Sequence, residues 1–184
     1  MSQSDNTASA ADILAFWRDA GPDKWFTQDS AFDAEIREKF LATHEAAAAG
    51  TLSDWDATAE GALALCILLD QFPRNMFRGD ARTYATDPLA RAVANRALKR
   101  GYDQDVAEDM RGFLFLPFMH SEDMTDQQRC IELYRAAGHE NLKYAERHAD
   151  IIRRFGRFPH RNAVLGRATT PEEQAYLDEG GFKG

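Results

Sequence analysis

The chain has 184 residues, 44% of them hydrophobic, with 22 Lys and Arg against 30 Asp and Glu for a formal charge of -8. That length and apolar content suit one domain with a sizeable core. The acidic balance excludes the broad basic surface that neutralises nucleic-acid phosphates, so no nucleic-acid partner is expected.

Residues 1–9 are small and polar and read as a disordered N-terminal tail, leaving residues 10–184 as a single helical domain. No basic stretch followed by a long apolar run opens the chain, so no secretory signal is expected. Ser9 with Asp12 has the spacing of a capping box and leads into Ile13, Phe16 and Trp17, with Gly21 and Pro22 as the stop. A second helix starts near Asp29 and Ser30, carries Phe32, Ile36 and Phe40 on one face, and stops at Gly50.

The third, over about residues 58–72, is apolar nearly all round and is expected to be the most buried. Its apolar run, residues 62–69, is far short of the ~20 residues of a membrane span, so no membrane partner is expected. Asp87 before Pro88 predicts an N-cap with proline in the first turn, opening a helix that stops at Gly101. Residues 106–115 read as a further helix broken at Pro117, and Thr125 with Gln128 as the capping box of one ending at Gly138. A long helix over about residues 140–155 ends at Gly156, and Thr170, Pro171 and Glu173 start a short last one.

The fold class is therefore all-α: a compact bundle of about seven or eight helices joined by short loops. Cys66 and Cys130 stand apart in apolar helical contexts, which predicts free, buried thiols and a cytoplasmic location.

Three polar clusters stand where apolar residues are expected. In residues 68–79, Asp70 shares a helix face with Cys66 and Ile67 and needs a nearby cation, with Arg74 or Arg78 as the nearest supply and Asn75 beside them. In residues 113–123, an apolar run delivers His120, Ser121 and Glu122. In residues 153–167, five arginines and His160 occur with no Asp or Glu, interleaved with Phe155, Phe158 and Pro159. The helix before this segment places His148 on a largely apolar stripe. Purely solvated charge has no use for aromatic neighbours, so Phe155 and Phe158 are expected to anchor the segment and hold its guanidinium groups.

These clusters carry long motifs: Phe16–Trp17, Lys24 to Phe26, "LLDQFPRN" with "FRGDART", "FLPFMHSED", "RFGRFPHRN" with "LGR", and "TPEE". In them the chain resembles the bacterial domain of unknown function 924 family over nearly its whole length. The resemblance implies a helical fold related to tetratricopeptide repeats, with helical-hairpin packing, and it supplies no reaction.

The leading functional expectation is a pocket for a small anionic or polar metabolite. Asp70, Arg74, Asn75, Arg78, Arg154, Arg157, Arg161 and Asn162 would bind the ligand, since guanidinium groups hold carboxylates and phosphates in bidentate geometry. His120, Glu122, His148 and His160 would supply acid–base chemistry. The alternative is a tetratricopeptide-like module that binds an acidic peptide. A third reading is a metal site on His120, Glu122, His148 and His160, with Asp70 as a further candidate ligand, weakened by the repulsion of nearby arginines. No nucleotide-binding, zinc-protease or serine-hydrolase motif is present, and neither a cofactor nor a resident metal is expected.

Overall fold

The computed structural model describes residues 7–184, and all regular structure in them is helical. The chain divides into two compact units, one of residues up to Arg78 with Arg82–Pro117, the other of Gly79–Ala81 with Phe118–Gly184. Most of the expected tail lies outside the described residues. Its end is held, because the Ala8 N–H donates to Thr43 Oγ1 at 2.8 Å and Ser9 forms the predicted capping box with Asp12.

In the first unit, α1 (Ala10–Ala20) and the one-turn α2 (Pro22–Trp25) lead to α3 (Ser30–Ala48), which starts where expected and is capped by Asp29. Helix α4 (Ala59–Cys66) is buried on all sides and packs against α1. Its Leu63, with Trp17, Ile36 and Phe72, is among the largest fully buried side chains, and residues 61–69 are all buried, so the apolar run does lie in the core. Helix α6 (Asp87–Lys99) also packs on α4, and its N-cap is Thr86 rather than Asp87. Asp87 opens the helix with its carboxylate turned to Arg74.

The central run is not one regular helix. Between α4 and the short α5 (Phe72–Met76), residues Ile67–Gln71 form a π-helical segment in which the Phe72 N–H bonds back to Ile67. Two carbonyls lose their ladder partners here. Pro73 has no N–H to give to Leu69 O, four residues back, and the Phe72 N–H that a regular ladder would aim at Leu68 O goes to Ile67 O instead. Side chains from elsewhere in the unit satisfy both: His44 Nδ1–H donates to Leu68 O at 3.0 Å and Thr86 Oγ1 to Leu69 O at 2.6 Å.

The chain then passes through 3₁₀ turns, one at Arg111–Leu114, instead of the helix expected over residues 106–115. Pro117 does not break a helix. It sits in the first turn of α7 (Leu116–Met119), where a missing N–H costs nothing.

In the second unit, α8 (Met124–Ala136) and α9 (Leu142–Phe155) pack as a hairpin across a short loop. The cap of α8 is Asp123, which accepts from the Thr125 and Asp126 N–H groups, and not the expected Thr125. Gly156, at φ 70°, makes the left-handed turn that ends α9, a conformation only glycine adopts at little cost. Helix α10 (Pro171–Asp178) starts at the predicted Thr170–Glu173 capping box. Ile151, Ile152 and Phe158 form a small core here, with Phe155, Tyr176 and Phe182 packed on it.

Candidate functional site

The first unit closes its own polar cluster. Asp70, 1% exposed on the π segment, accepts from Gln71 Nε2 at 2.5 Å and faces Arg74 Nη1 at 3.5 Å. Arg74 grips Asp87 with both terminal nitrogens, at 2.8 and 3.0 Å, and donates to the Asp70 carbonyl at 2.6 Å. Burial disfavours the charged guanidinium, but the two carboxylates outweigh that cost and raise the Arg74 pKa. Asn75 and Arg78 both turn to Asp33, at 2.8 Å for Asn75 Nδ2 and 2.9 Å for Arg78 Nε. These four predicted ligand residues form an ion-pair frame around α5.

The basic segment in the second unit also builds a frame, with some of its charge. Arg157 makes a bidentate pair with Glu173, Nε to Oε1 at 2.7 Å and Nη2 to Oε2 at 2.9 Å. Glu173 also accepts from Asn162 Nδ2 at 3.1 Å and from the Thr170 N–H at 2.8 Å. The Arg157 hydrogen bonds lead this set, which pulls the Glu173 pKa down to about 2. Arg167 pairs with Glu122 at 2.7 and 3.0 Å and reaches Asn162 Oδ1 at 2.9 Å, while Glu122 also accepts the Phe158 N–H at 2.8 Å. Burial pushes the Glu122 carboxyl up, but Arg167, the Phe158 N–H and the charge of Arg161 outweigh it, and the net shift is downward. Arg154 meets Glu172 in an exposed pair at 3.1 Å.

Inside that frame the structure gathers His120, His148, His160 and Arg161. Arg161 is buried, lies 4.5 Å over the Phe158 ring, and donates from Nη2 to the His120 carbonyl at 3.0 Å. His148, on the buried face of α9, donates from Nδ1 to the Tyr144 carbonyl at 2.7 Å. That bond fixes the tautomer and leaves Nε2 with the lone pair. Burial first, then the charges of His120, Arg161 and Arg147, bring its pKa down to about 4, so the ring is neutral at physiological pH.

The Phe158 ring stands 5.6 Å from His148 and 5.8 Å from His160, and Phe182 stands 4.6 and 5.1 Å from the same two rings. Gln127 holds the preceding loop by donating to the carbonyls of Met119 and Ser121, each at 2.7 Å. Among the described residues, no three His, Cys, Asp or Glu side chains form a group able to hold a metal ion.

A neutral imidazole acceptor beside a buried guanidinium, floored by an aromatic ring, can bind an anionic or polar group and exchange a proton with it. Sequence reasoning missed Glu173, Arg167 and Phe182 as parts of this arrangement. Glu173 was legible only as a cap, and Arg167 only as one of five arginines. Phe182 carries no local signal at all.

The family model described as bacterial protein of unknown function (DUF924) matches residues 13–181. A solved structure of a protein of unknown function from Agrobacterium tumefaciens is similar at 57% identity and a TM-score of 0.90, covering 93% of this chain and 97% of that one. No curated protein matches the chain. Among the described residues no helix is long and apolar enough to cross a membrane.

Proposed function

We propose, for a chain that belongs to the DUF924 family, that the second unit binds a small anionic or polar metabolite at His120, His148, His160 and Arg161. The observation that carries this reading is a buried guanidinium held among aromatic and imidazole rings. Arg161 lies 4.5 Å over Phe158 and donates to the His120 carbonyl, and its charge helps to keep His148 neutral. Desolvated guanidinium on an aromatic face is a costly arrangement that an anionic ligand would reward. The imidazoles are the groups able to pass a proton to or from that ligand. A cytoplasmic setting belongs to the same reading, supported by the buried Cys66 and Cys130, neither of which is in a disulfide.

The test is calorimetric titration with inorganic phosphate and with acetate, on wild type and on Arg161→Lys and His148→Gln. At least one anion should bind the wild type, and each substitution should weaken it tenfold or more while circular dichroism stays unchanged. Equal binding by all three proteins would remove the proposal.

The second reading, a peptide-binding module on tetratricopeptide-like hairpins, is favoured by one feature. An open groove of about 410 Å³ runs beside α9 and α10, lined by Arg147, Asp150, Arg154, Phe155 and Tyr176. Arg154 there lies 4.6 Å over Phe155 and 5.6 Å over Tyr176, with Asp150 and Glu179 on the same lining, a surface of mixed charge that would take an aromatic residue of a peptide.

A further inference from the structure

Phe182 is placed as a ligand would be. Its ring meets His148 at 4.6 Å and His160 at 5.1 Å, edge-on to both, and the Arg147 guanidinium lies 6.0 Å from its centroid. The polypeptide reaches this position through a narrow tether. After α10 the chain turns at Gly180, with φ 87°, and Gly181 packs on Tyr176 so closely that an added Cβ would stand 2.5 Å from its ring. The Phe182 N–H then donates to Tyr176 Oη at 2.9 Å. Beyond it, Gly184 lies against the His160 ring, with an ideal Cβ 3.3 Å from it.

The ring thus docks between two imidazoles, at the end of a glycine-turned segment, and keeps part of its own surface in solvent. It packs on the Ile151, Ile152 and Phe158 cluster from beyond α10 and is only partly enclosed there. Two imidazoles edge-on to Phe182, with the Arg147 guanidinium near its face, describe a subsite for a flat ring that carries a negative charge on the Arg147 side.

We propose that Phe182 is a displaceable stand-in for the aromatic ring of the natural ligand, and that this ligand is an aromatic carboxylate. The inference rests on the binding reading above and names the ligand class for the same site. The ligand's ring takes the place of Phe182 between His148 and His160, and its carboxylate takes Arg161 or Arg147. The tethered ring also sets the affinity: while it occupies the subsite, the apparent dissociation constant exceeds the intrinsic one by the inverse of the open fraction.

The experiment compares benzoate, benzyl alcohol and acetate on the full chain, by calorimetry and by the shifts of the His148 and His160 ring protons. Phe182→Ala should bind benzoate at least tenfold more tightly than wild type, and at least tenfold more tightly than it binds benzyl alcohol or acetate. Adding Arg147→Gln or His148→Gln to Phe182→Ala should reduce that advantage. Phe182→Leu, which keeps apolar volume without a planar ring, should lie between wild type and Phe182→Ala.

Unchanged benzoate affinity in Phe182→Ala and Phe182→Leu overturns the inference, and so does equal binding of benzoate and benzyl alcohol, which marks a mere apolar hole. If acetate or phosphate binding still depends on Arg161 in either of those cases, the anion site stands and only the aromatic assignment falls. If no anion binding depends on Arg161 or His148, both fall together.

Discussion

Arg157 and Glu173 face each other with two parallel hydrogen bonds, at 2.7 and 2.9 Å, and so tie the loop after α9 to the first turn of α10. Glu173 is 2% exposed and has no alternative solvent to turn to. Arg157→Ala, which leaves the enclosed Glu173 carboxylate without its guanidinium, should therefore clearly destabilise the second unit, and Glu173→Gln should do so as well. Arg154→Ala, which removes only the exposed pair with Glu172, should change stability by less than about 1 kcal/mol. Urea denaturation of the three variants separates the two cases.

His148 makes stability fall on mild acidification. Its folded pKa of about 4 lies below the ordinary histidine value of 6.5, so the unfolded chain takes up the proton first. Its contribution is complete above pH 6.5 and is lost as pH falls from there towards 4, amounting to about 3 kcal/mol at most. The groups that bear on it are Tyr144 through its carbonyl, His120, Arg161 and Arg147. His44, also lowered chiefly by burial, acts in the same direction, so the control is His44→Gln. Stability measured from pH 7 to 4.5 should flatten in His148→Gln and flatten further in the double variant. Below that range the carboxylates take over, since Glu173 holds its charge to about pH 2 and loses its pairing as it protonates.

The side-chain donors to the central run are a separate test. His44→Phe and Thr86→Val each leave a buried carbonyl, Leu68 O or Leu69 O, without its partner. Each should cost about 1–3 kcal/mol. Loss in one and not the other, read by chemical denaturation, identifies which carbonyl depends more on its side-chain donor.

Gly61 is fixed by space rather than by backbone angle. A Cβ there would lie 1.9 Å from the Trp55 carbonyl oxygen and 2.8 Å from its carbon, and backbone gives way poorly. Gly61→Ala, usually favourable in a helix, should here destabilise by more than about 2 kcal/mol, and the melting temperature checks it.

Much of the helical frame was legible because its punctuation is local. Ser9 with Asp12 and Thr170 with Glu173 are complete capping boxes within four residues, and both form. Asp29 and Gly156 act in their own turns for the same reason. Where two cap-type residues compete, spacing cannot choose: Asp123 wins over Thr125 because its carboxylate reaches two N–H groups. The segment over residues 106–115 has helical composition, yet it runs through turns.

The candidate site was legible as an inventory and not as a set of pairings. The need of Asp70 for Arg74 follows from burial and a spacing of four residues. The choice of Glu173 by Arg157 and of Glu122 by Arg167 spans 16 and 45 residues, and charge alone does not rank such partners. His44 and Phe182 gave no sign, because what makes them matter is a carbonyl and two imidazoles supplied from distant positions.

The π segment at Ile67–Gln71 acts as a phase shift. Each residue of a helix turns the chain by about 100°, so one extra residue in a turn rotates all that follows by that angle. Helix α5 therefore presents Arg74 to Asp87 and Asn75 to Asp33 in a phase that an uninterrupted helix through α4 would not give. Deleting one residue from this stretch would leave every partner in the chain and still misdirect them. The polar order of the first unit is written in a count of residues as much as in their identities.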